Sequence, residues 1–402
     1  TQSRSSAASD VYKRQNMSSI NLKPTYYFGN KSVFEARDHI KSNNYKKALI
    51  LYGGGSVKKN GSYDDLIKLL KEIKLNYVEF GGIEPNPRNT TLDKCIKFVK
   101  DENVDVIFAI GGGSVVDASK VISIVVTNNG YKESWEYVLD QSKVINKALD
   151  IISIITLAGT ASENNSGSVI TNNSTNEKLG VFTPTAIPTI SIEDPNYTFT
   201  VNKWQTASGI FDCFSHLMEQ FLGNNTFTWT KNYIVANIKT LIEHAKKVVE
   251  EPTNYDSRAN VLWTSTMALN GFAAFESDSD WSVHTIEHAF SGLWDITHGA
   301  GLAFITPTYL KIKAKKDKKF ESKLIELGSE CFNTNGINET INFLVKFIKS
   351  IYLPTKWSDF EEIKEFTPKH VEFLVDHSSK YNYSNNDEDL FREVITELSK
   401  LV

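Results

Sequence analysis

The sequence predicts an N-terminal α/β domain with a Rossmann-like parallel sheet, followed by an all-α domain. Short β-branched runs alternate with amphipathic helical segments between residues 47 and 126, which is typical of strands joined by covering helices. Beyond about residue 200, helical segments follow one another to the end of the chain, with Gly and Pro at the joins. A chain of 402 residues exceeds what one core usually organises, so two domains of about 200 residues each are expected.

Three strand-then-helix units follow in order: KALILYGGGS with SYDDLIKLLKEIK, NYVEFGGI with TTLDKCIKFVKDE, and VDVIFAIGGGS with VVDASKVISIVV. Two further strands, DIISIITLAG and TAIPTISIEDP, precede a change of composition near Asn196. We therefore expect the α/β domain over residues 17–199 and the helical domain over residues 200–402. Residues 1–16 are polar and unpatterned, and we expect them to be a non-native or disordered extension.

Composition narrows the class of partner. The 44 basic and 48 acidic residues nearly balance, which gives no electrostatic case for a nucleic acid or an anionic membrane as partner. No apolar run approaches the roughly 18 residues that a membrane span needs. Three widely spaced cysteines suit a reducing compartment, so we expect a cytoplasmic protein that acts on small molecules.

Metal-ligand chemistry is concentrated in DWSVHTIEHAFSGLWDITHGAGL, which contains His284, His288 and His298. Upstream, GIFDCFSHLMEQF places Asp212 and His216 four residues apart in a helical pattern, so both lie on one face. Imidazole and carboxylate together suit Zn²⁺, Fe²⁺, Ni²⁺ or Mn²⁺. The alternative, helix-face histidines that meet only core or solvent, is weakened by the pairing. The residues thus favour a metal site between two helices.

Two Gly-rich loops follow predicted strands. The loop GGGSVVDASK, from Gly111 to Lys120, opens a helix whose free N–H groups can bind a pyrophosphate, although tight turns of this kind are also common without a ligand. The loop GGGSVKKNG, from Gly53 to Gly61, contains Ser56, Lys58 and Lys59, which can meet a ribose phosphate, and it has no carboxylate. The alternative for its lysines is a solvated turn.

A third loop, GTASENNSG, follows another buried strand and gathers hydroxyl and amide groups. Its side chains can hydrogen-bond a phosphate or a nicotinamide amide, and the alternative is ordinary loop material. The hydroxyl candidates at this strand end are Thr156, Thr160 and Ser162.

With these motifs in this order, the chain from about Asn21 to the C-terminus resembles the iron-dependent (group III) alcohol dehydrogenase family. YGGGSVKKNG, GIEPNPR and SVHTIEHAFS are most similar to its butanol dehydrogenase and broad-range aldehyde reductase branch. The resemblance implies the two-domain architecture of dehydroquinate synthase, with a dinucleotide-binding and a metal-binding domain. It implies a metal bound by Asp212, His216, His284 and His298.

The resemblance also implies that His288 lies beside the substrate, where it would act in catalysis, and is not a ligand. It implies a set of cofactor-binding positions in the three loops and one later lysine: Gly53, Gly54, Ser56, Lys59, Gly111, Gly112, Ser114, Asp117, Thr156, Thr160, Ser162 and Lys178.

The implied activity is hydride transfer between NAD(P)(H) and a small primary alcohol or aldehyde such as butanol or butanal. Fe²⁺ is the expected metal and Zn²⁺ the alternative, NADP(H) is favoured over NAD(H), and a homodimer is expected. The alternative functions are a metal- and NAD-using lyase like dehydroquinate synthase and a polyol dehydrogenase like glycerol dehydrogenase. Sparse basic residues around the ligand helices favour the dehydrogenase.

Small departures from the family pattern bear on the pocket. Ala161 replaces a common Gly, Ala289 and Phe290 follow His288 where Glu and Leu are usual, and Trp294 stands where some reductases have His. The aromatic residues of this region suggest an apolar cleft, with the protein core as the alternative: Trp281, Phe290 and Trp294.

Overall fold

The computed structural model describes residues 23–140, 142, 145–224, 227–384 and 387–402, so the extension expected at residues 1–16 lies outside the described part. The predicted fold class is confirmed: an α/β domain with a six-stranded parallel sheet precedes a helical domain. The strands are β1 (Thr25–Phe28), β2 (Lys47–Tyr52), β3 (Asn76–Phe80), β4 (Val106–Gly111), β5 (Asp150–Ile155), β6 (Gly167–Asn172), β7 (Glu177–Phe182) and β8 (Ile190–Glu193).

Helices cover both faces of the sheet. The helices of this domain are α1 (Ser32–Glu35), α2 (Arg37–Ser42), α3 (Ser62–Ile73), α4 (Asn89–Glu102), α5 (Gly113–Thr127) and α6 (Ser134–Leu139). Every residue of β4 is buried, and its side chains alternate between the cluster that contains α3 and the cluster that contains α4 and α5. Burial on both faces explains why the central strands read as continuous apolar runs.

The strand order β1-β8-β5-β4-β2-β3 reverses direction between β4 and β2. In open parallel sheets, ligands bind at the carboxyl ends of the strands where such a reversal opens a crevice. The loops after β2 and β4 are the two Gly-rich loops, and β5 pairs with β4 so that the GTASENNSG loop starts at the same edge. The topology therefore gathers all three loops at one edge of the sheet.

The helical domain surrounds α7, whose residues from Thr206 onward are buried. Its helices are α7 (Lys203–Leu222), α8 (Thr228–Glu250), α9 (Tyr255–Ala268), α10 (Ser282–Trp294), α11 (His298–Lys316), α12 (Lys318–Phe332), α13 (Ile337–Ser350), α14 (Pro368–Lys380) and α15 (Glu388–Ser399). Within the described ranges, no helix has the length and apolar character needed to cross a bilayer.

The sequence did not predict two features of the α/β domain. β1 is an edge strand that pairs in parallel with β8. β6 and β7 form an antiparallel hairpin that packs against α5 on one side and against α10 on the other. Its Asn-, Ser- and Thr-rich sequence reads as loop, and only contact with helices from both domains makes it a strand pair.

Glycines allow two close backbone approaches, one between the two domains and one between two helices of the helical domain. A Cβ at Gly209 of α7 would lie 1.9 Å from the carbonyl oxygen of Ala158, and a Cβ at Gly299 of α11 would lie 1.9 Å from the carbonyl oxygen of Ser208. Neither distance is compatible with a side chain, so both positions require glycine. The loop after β5 therefore lies directly against α7, one turn before Asp212.

The GIEPNPR segment joins the domains at a second point. The Arg88 guanidinium lies 3.0 Å from the carboxylate of Asp295, at the corner between α10 and α11, and the Asn86 amide donates to the other oxygen of Asp295 at 2.9 Å. The amide of Thr171 in β6 donates to the Pro87 carbonyl. This segment therefore ties the hairpin to the helical domain beside the crevice.

Candidate active site

Four of the side chains singled out in the sequence converge between α7, α10 and α11. Asp212 Oδ1 lies 3.4 Å from His216 Nε2, 3.7 Å from His284 Nε2 and 3.6 Å from His298 Nε2. Ligand atoms around a tetrahedral ion with bonds of about 2.0–2.2 Å lie about 3.3–3.6 Å from one another. The three distances from Asp212 fit ligands of a single divalent cation, and Asp212, His284 and His298 offer ligand atoms within 4.8 Å of one another. His216 is not part of that group of three; its ring stacks on the His284 ring at a centroid distance of 4.8 Å.

Helix geometry accounts for this convergence. Asp212 and His216 are one turn apart on the buried face of α7. His284 lies in the first turn of α10, and His298 is the first residue of α11. The chain reverses between these two helices at Asp295, whose left-handed backbone (φ 54°) ends α10. The corner thereby brings His298 back beside His284.

Two atoms of this cluster have no hydrogen-bond partner although they are buried. They are Asp212 Oδ1 and His284 Nε2, which face each other across the cluster. A buried polar atom without a partner costs roughly 1–3 kcal/mol, and a charged one costs more. A cation between these atoms would remove that cost, so the donor set fits a metal.

Two buried carboxylates orient the imidazoles from behind. The Nδ1 atoms of His284 and His298 are hydrogen-bonded to Glu219 and Glu287, respectively. A carboxylate bonded to Nδ1–H fixes the tautomer that leaves the Nε2 lone pair free for a metal. Neither glutamate was among the residues predicted from the sequence.

A helical signal for both glutamates was present in the sequence. Glu219 follows Asp212 and His216 by seven and three residues, so all three share the buried face of α7. Glu287 follows His284 by three residues on α10. A search for acidic residues one turn from each candidate ligand would have found both.

The protonation pattern suits cation binding. Burial lowers the pKa of His216 to about 4 and holds the pKa of His298 well below its usual range, so both imidazoles are neutral. Although burial opposes ionisation of Asp212, the surrounding imidazoles, His216 first, hold the pKa of its carboxyl below its usual range. Burial also disfavours a charged His284, but Glu219 and Asp212 outweigh it and raise the pKa to about 10. Cation binding would therefore displace one proton, from His284.

His288 lies one turn after His284 and outside the four-atom cluster. Its ring is 5.5 Å from the His298 ring and 5.6 Å from the Tyr383 ring, and its Nδ1 has no hydrogen-bond partner. Glu287, His288 and His298 also come close enough to share an ion. The Glu287 carboxylate, however, already accepts hydrogen bonds from Ser291 and His298, so it is a poor candidate for a ligand.

A cleft with about 1150 Å³ of empty space leads from the metal-binding cluster to the edge of the sheet. Its helical-domain wall includes all the clustered ligands and His288. Its α/β wall includes five of the candidate cofactor residues: Ser114, Asp117, Thr160, Ser162 and Lys178. The structure thus places these five candidate cofactor residues and the candidate metal ligands on opposite walls of one cleft.

The start of α5 packs tightly against the loop after β5. A Cβ at Gly113 would lie 2.1 Å from Thr160 Oγ1, and one at Gly112 would lie 3.1 Å from the Leu157 side chain. Ser114, the second residue of α5, lines the cleft, so this helix begins beside it. Such a helix N-terminus attracts anions.

Asp117 serves the protein scaffold as well as the cleft wall. Its carboxylate accepts hydrogen bonds from Ser162 Oγ at 2.5 Å and from the Val169 amide at 2.8 Å. The buried Lys120 ammonium donates to Ser162 Oγ and to the Gly167 carbonyl, although burial lowers the pKa of Lys120 to about 8. These contacts bind α5 to the hairpin and to the loop after β5.

Lys178 on β7 lies at the metal end of the cleft. Its Nζ is 3.4 Å from the Glu287 carboxylate and 3.5 Å from His298 Nδ1. Thr156 and Gly111 lie deeper: Thr156 is buried, and its amide donates to the Gly111 carbonyl. The cleft wall itself does not include Thr156.

The loop after β2 lies beyond the cleft wall, beside the first turn of α5. An added Cβ at Gly53 would be 3.9 Å from the Val115 side chain. Gly54, Ser56 and Lys59 are exposed in this loop. Lys58 is engaged elsewhere: its Nζ lies over the Tyr52 and Tyr63 rings at 4.9 and 4.7 Å and 3.6 Å from Glu79.

Of the three aromatic residues expected near the site, only Trp281 lines the cleft. Phe290 is fully buried in the core of the helical domain, and Trp294 packs against it with a ring distance of 5.3 Å. The expectation of an apolar cleft wall is therefore wrong for Phe290 and Trp294. Both point from α10 into the core, toward Phe366.

Comparison with known proteins identifies the family of the chain. The family model described as iron-containing alcohol dehydrogenase matches residues 23–195, and the model of the C-terminal part of the same family matches residues 206–401. The chain is 41% identical over 297 residues to NADH-dependent butanol dehydrogenase B of Clostridium acetobutylicum, covering 74% of each chain. It is 33% identical to the NADPH-dependent aldehyde reductase YqhD of Escherichia coli, covering 90% of this chain and 93% of that one.

A solved structure is similar over almost the whole chain. NADH-dependent butanol dehydrogenase A from Thermotoga maritima superposes with a TM-score of 0.88 at 29% identity, covering 95% of this chain and 98% of that one. Family models that together span both domains, and relatives above 30% identity over most of the chain, agree on one assignment. The chain is an oxidoreductase that belongs to the iron-containing alcohol dehydrogenase family.

Proposed function

We propose that this protein transfers a hydride between a nicotinamide cofactor and a small primary alcohol or aldehyde such as butanol or butanal. The observation that carries the proposal is the cleft, whose lining includes Ser114 at the start of α5 and the side chains of Asp212, His216, His284 and His298. The helix N-terminus supports binding of the cofactor pyrophosphate, and the cluster of imidazole and carboxylate groups supports binding of a metal. The relatives named butanol dehydrogenase and aldehyde reductase support the substrate class.

The proposed metal ligands are Asp212, His216, His284 and His298, with Fe²⁺ as the expected ion and Zn²⁺ as the alternative. The mixed nitrogen and oxygen donors support either ion. When bound, the metal supplies Lewis acidity toward the substrate oxygen, and the nicotinamide supplies or accepts the hydride. The chain contributes position, exclusion of water and charge.

Different groups of the chain have different proposed roles within the cleft. The N–H groups at the start of α5 bind the cofactor pyrophosphate, and Thr160 and Ser162 hold its neighbouring polar groups. Lys178, paired with Glu287, contributes positive charge where the cofactor and substrate meet. His288, which is buried and neutral with Nδ1 unpartnered, exchanges the proton of the substrate oxygen.

The wall of the cleft favours a dehydrogenase over a lyase of the dehydroquinate synthase type. A substrate with several anionic groups needs several cationic side chains, and Lys178 is the one Lys or Arg among the described residues that line the cleft. A polyol dehydrogenase remains in the same reaction class, and glycerol in the substrate panel distinguishes it.

The function is tested with the iron-loaded chain and butanal. We expect oxidation of NADH or NADPH to depend on the aldehyde and on the metal. His288→Gln should lower kcat by about 100-fold or more and change its pH profile, because a positioned acid or base typically contributes that much. Metal content should stay at one ion per chain. His244→Gln, a substitution on α8 outside the cleft, is the matched control.

Loss of the metal from the His288→Gln protein would show that His288 is a ligand and not a proton carrier. No aldehyde-dependent oxidation of either cofactor by the metal-loaded parent would refute the proposed activity itself.

Glu219→Gln tests the metal cluster separately from turnover. Gln keeps the shape of Glu219 but removes the charge behind His284, so we expect the metal to bind about 10- to 100-fold more weakly, as for other groups that orient a ligand histidine. Competition with a coloured chelator measures the affinity. Glu243→Gln, at an exposed position on α8, should bind as the parent does. Equal affinity in Glu219→Gln would contradict the proposed role of Glu219 in orienting His284.

For the cofactor, we propose that NADP(H) is favoured and that NAD(H) is also used. The loop after β2 presents Ser56 and Lys59 and lacks a carboxylate that would bind a free 2′-hydroxyl or repel a 2′-phosphate. Because Glu79 and two tyrosine rings hold Lys58, only Lys59 offers a free ammonium from this loop's lysine pair. Exposed charge pairs contribute little, so the preference should be modest.

Fluorescence titration with NADPH and NADH tests this assignment. Lys59→Ala should weaken NADPH about fivefold to tenfold and leave NADH unchanged, which corresponds to about 1 kcal/mol for one exposed contact. Lys58→Ala is the control and should change neither affinity, and Gly54→Asp should shift preference to NADH. A parent that binds NADH more tightly, with equal losses in Lys59→Ala, would contradict the proposal.

We also propose a homodimer. β1 ends the sheet, and an edge strand offers backbone groups to a second copy. Phe28, the last residue of this strand, is 40% exposed and makes an edge-to-face contact with Trp263, which is 37% exposed. These aromatic surfaces support a two-fold contact. The three unpaired cysteines support the proposed cytoplasmic location, which fractionation of the native cell would test.

Light scattering of the purified chain should give the mass of two chains. Phe28→Lys should shift the mass toward one chain, because a charge would be buried at the contact, whereas Tyr352→Lys, at another exposed aromatic position, should remain dimeric. A single-chain mass for the parent would refute the homodimer, and a dimeric Phe28→Lys protein would place the contact elsewhere.

A further inference from the structure

A second cavity lies behind the metal-binding cluster. It has about 1260 Å³ of empty space, and its lining is mainly polar: Asp278, Asp280, Asp317, Lys313, Lys319 and Lys323. Two aromatic side chains, Trp281 and Tyr383, line both this cavity and the active-site cleft. These two rings are therefore the partition between the two spaces.

The partition stands directly against the ligand imidazoles. Trp281, the residue before α10, makes edge-to-face contacts with the rings of His284 and His216, at centroid distances of 5.3 and 6.1 Å. Tyr383 makes a similar contact with His288 at 5.6 Å. A substrate whose oxygen lies at the cluster would meet one of these rings within a few atoms of its chain.

Hydrogen bonds hold the Trp281 side of the partition. The carboxylate of Asp280 accepts from the Ser282 amide and hydroxyl and from Tyr309 and Lys313, each of the last two at 2.7 Å. The Asp280 amide donates to the Glu219 carbonyl at 2.9 Å. The backbone on both sides of Trp281 is therefore fixed to the helix bundle.

Hydrogen bonds also hold the Tyr383 side of the partition. The Tyr383 hydroxyl accepts from the Gly180 amide at 2.8 Å, and its own amide donates to Thr285 Oγ1 at 3.2 Å. Ser282 and Ser384 share a hydrogen bond of 2.9 Å that ties this turn to the start of α10. A partition fixed on both sides acts as a wall of constant position.

We propose that Trp281 sets the maximum length of the substrate by separating the metal cluster from the polar cavity. This inference rests on the proposed function, which places the reacting oxygen at the cluster. Shortening Trp281 joins the two spaces, and the added space is polar. Longer aldehydes with a polar far end should therefore gain more than alkyl aldehydes of the same length, since an alkyl chain would leave the lining's charged groups poorly solvated.

The test compares butanal, hexanal and 6-hydroxyhexanal as substrates of the iron-loaded parent, Trp281→Ala and Trp281→Leu. A hydrogen bond to a charged group contributes roughly tenfold to a hundredfold in affinity, so kcat/KM for 6-hydroxyhexanal relative to hexanal should rise about tenfold or more in Trp281→Ala. Trp281→Leu should give a smaller rise. Trp294 is at the other end of α10 and lines neither the cleft nor the polar cavity. Trp294→Leu should therefore keep the ratio of kcat/KM values that the parent shows for the two long aldehydes.

A binding measurement accompanies the rates. Calorimetric titration of each metal-loaded protein with hexanamide and 6-hydroxyhexanamide, which cannot accept a hydride, should show the same rise in preference for the hydroxylated compound. If Trp281→Ala loses its metal, Trp281→Leu provides the comparison.

The proposal is overturned if hexanal gains as much as 6-hydroxyhexanal, because the space opened would then not be the polar cavity. It is also overturned if neither long aldehyde gains while metal content and butanal reduction are retained. If the parent reduces no aldehyde, the proposed function fails, and the amide titration still decides whether Trp281 is the wall.

Discussion

The contact between α7 and the loop after β5 is the constraint on which the site depends. Gly209 meets the Ala158 carbonyl without a side chain between them, and on the next turn of the same helix Asp212 extends toward Gly159, where an added Cβ would lie 3.2 Å from its carboxylate. A helix held this closely to the sheet edge cannot move Asp212 and His216 independently of the loop after β5. One backbone approach therefore fixes the position of the candidate metal cluster relative to the candidate cofactor residues of that loop.

Around that contact, buried charges are arranged in layers. The Asp212 carboxylate is at the centre of three imidazoles, two of the imidazoles are backed by Glu219 and Glu287, and Lys178 faces Glu287. Each buried ion has a counter-charge or an open position for a cation, as low-dielectric surroundings require. The Glu287 carboxylate contacts both Lys178 and His298. A change of charge near Lys178 would therefore also affect the orientation of the His298 ring.

Glu163 and Glu193 are two neighbouring buried acids at the junction between the two domains. Burial, and after it the neighbouring Glu163, raises the pKa of Glu193 to about 8, while Thr266 of α9 and Ser191 donate to the Glu193 carboxylate. Since the folded pKa is raised, this group stabilises the fold below about pH 4.5 and loses that contribution as pH rises through 8. The α/β and helical domains therefore meet most favourably when this pair holds a proton.

Local sequence determined a large part of this protein. The alternation of apolar runs and amphipathic segments specified the β/α units, because strand and helix periods are properties of neighbouring residues. The four-residue spacing of Asp212 with His216 put both on one face for the same reason. The order of the motifs carried the family resemblance, and with it His284 and His298 as partners from other helices.

Tertiary structure decided what depends on residues far apart in the chain. The hairpin that brings Lys178 to Glu287 packs between α5 and α10, and the Lys58 ammonium lies 3.6 Å from Glu79 on the next strand. Trp281 and Trp294 have the same chemistry at opposite ends of one helix. Packing alone makes Trp281 a wall of the site and Trp294 part of the core, because a helix end facing a cavity and one facing other helices cannot be told apart by composition.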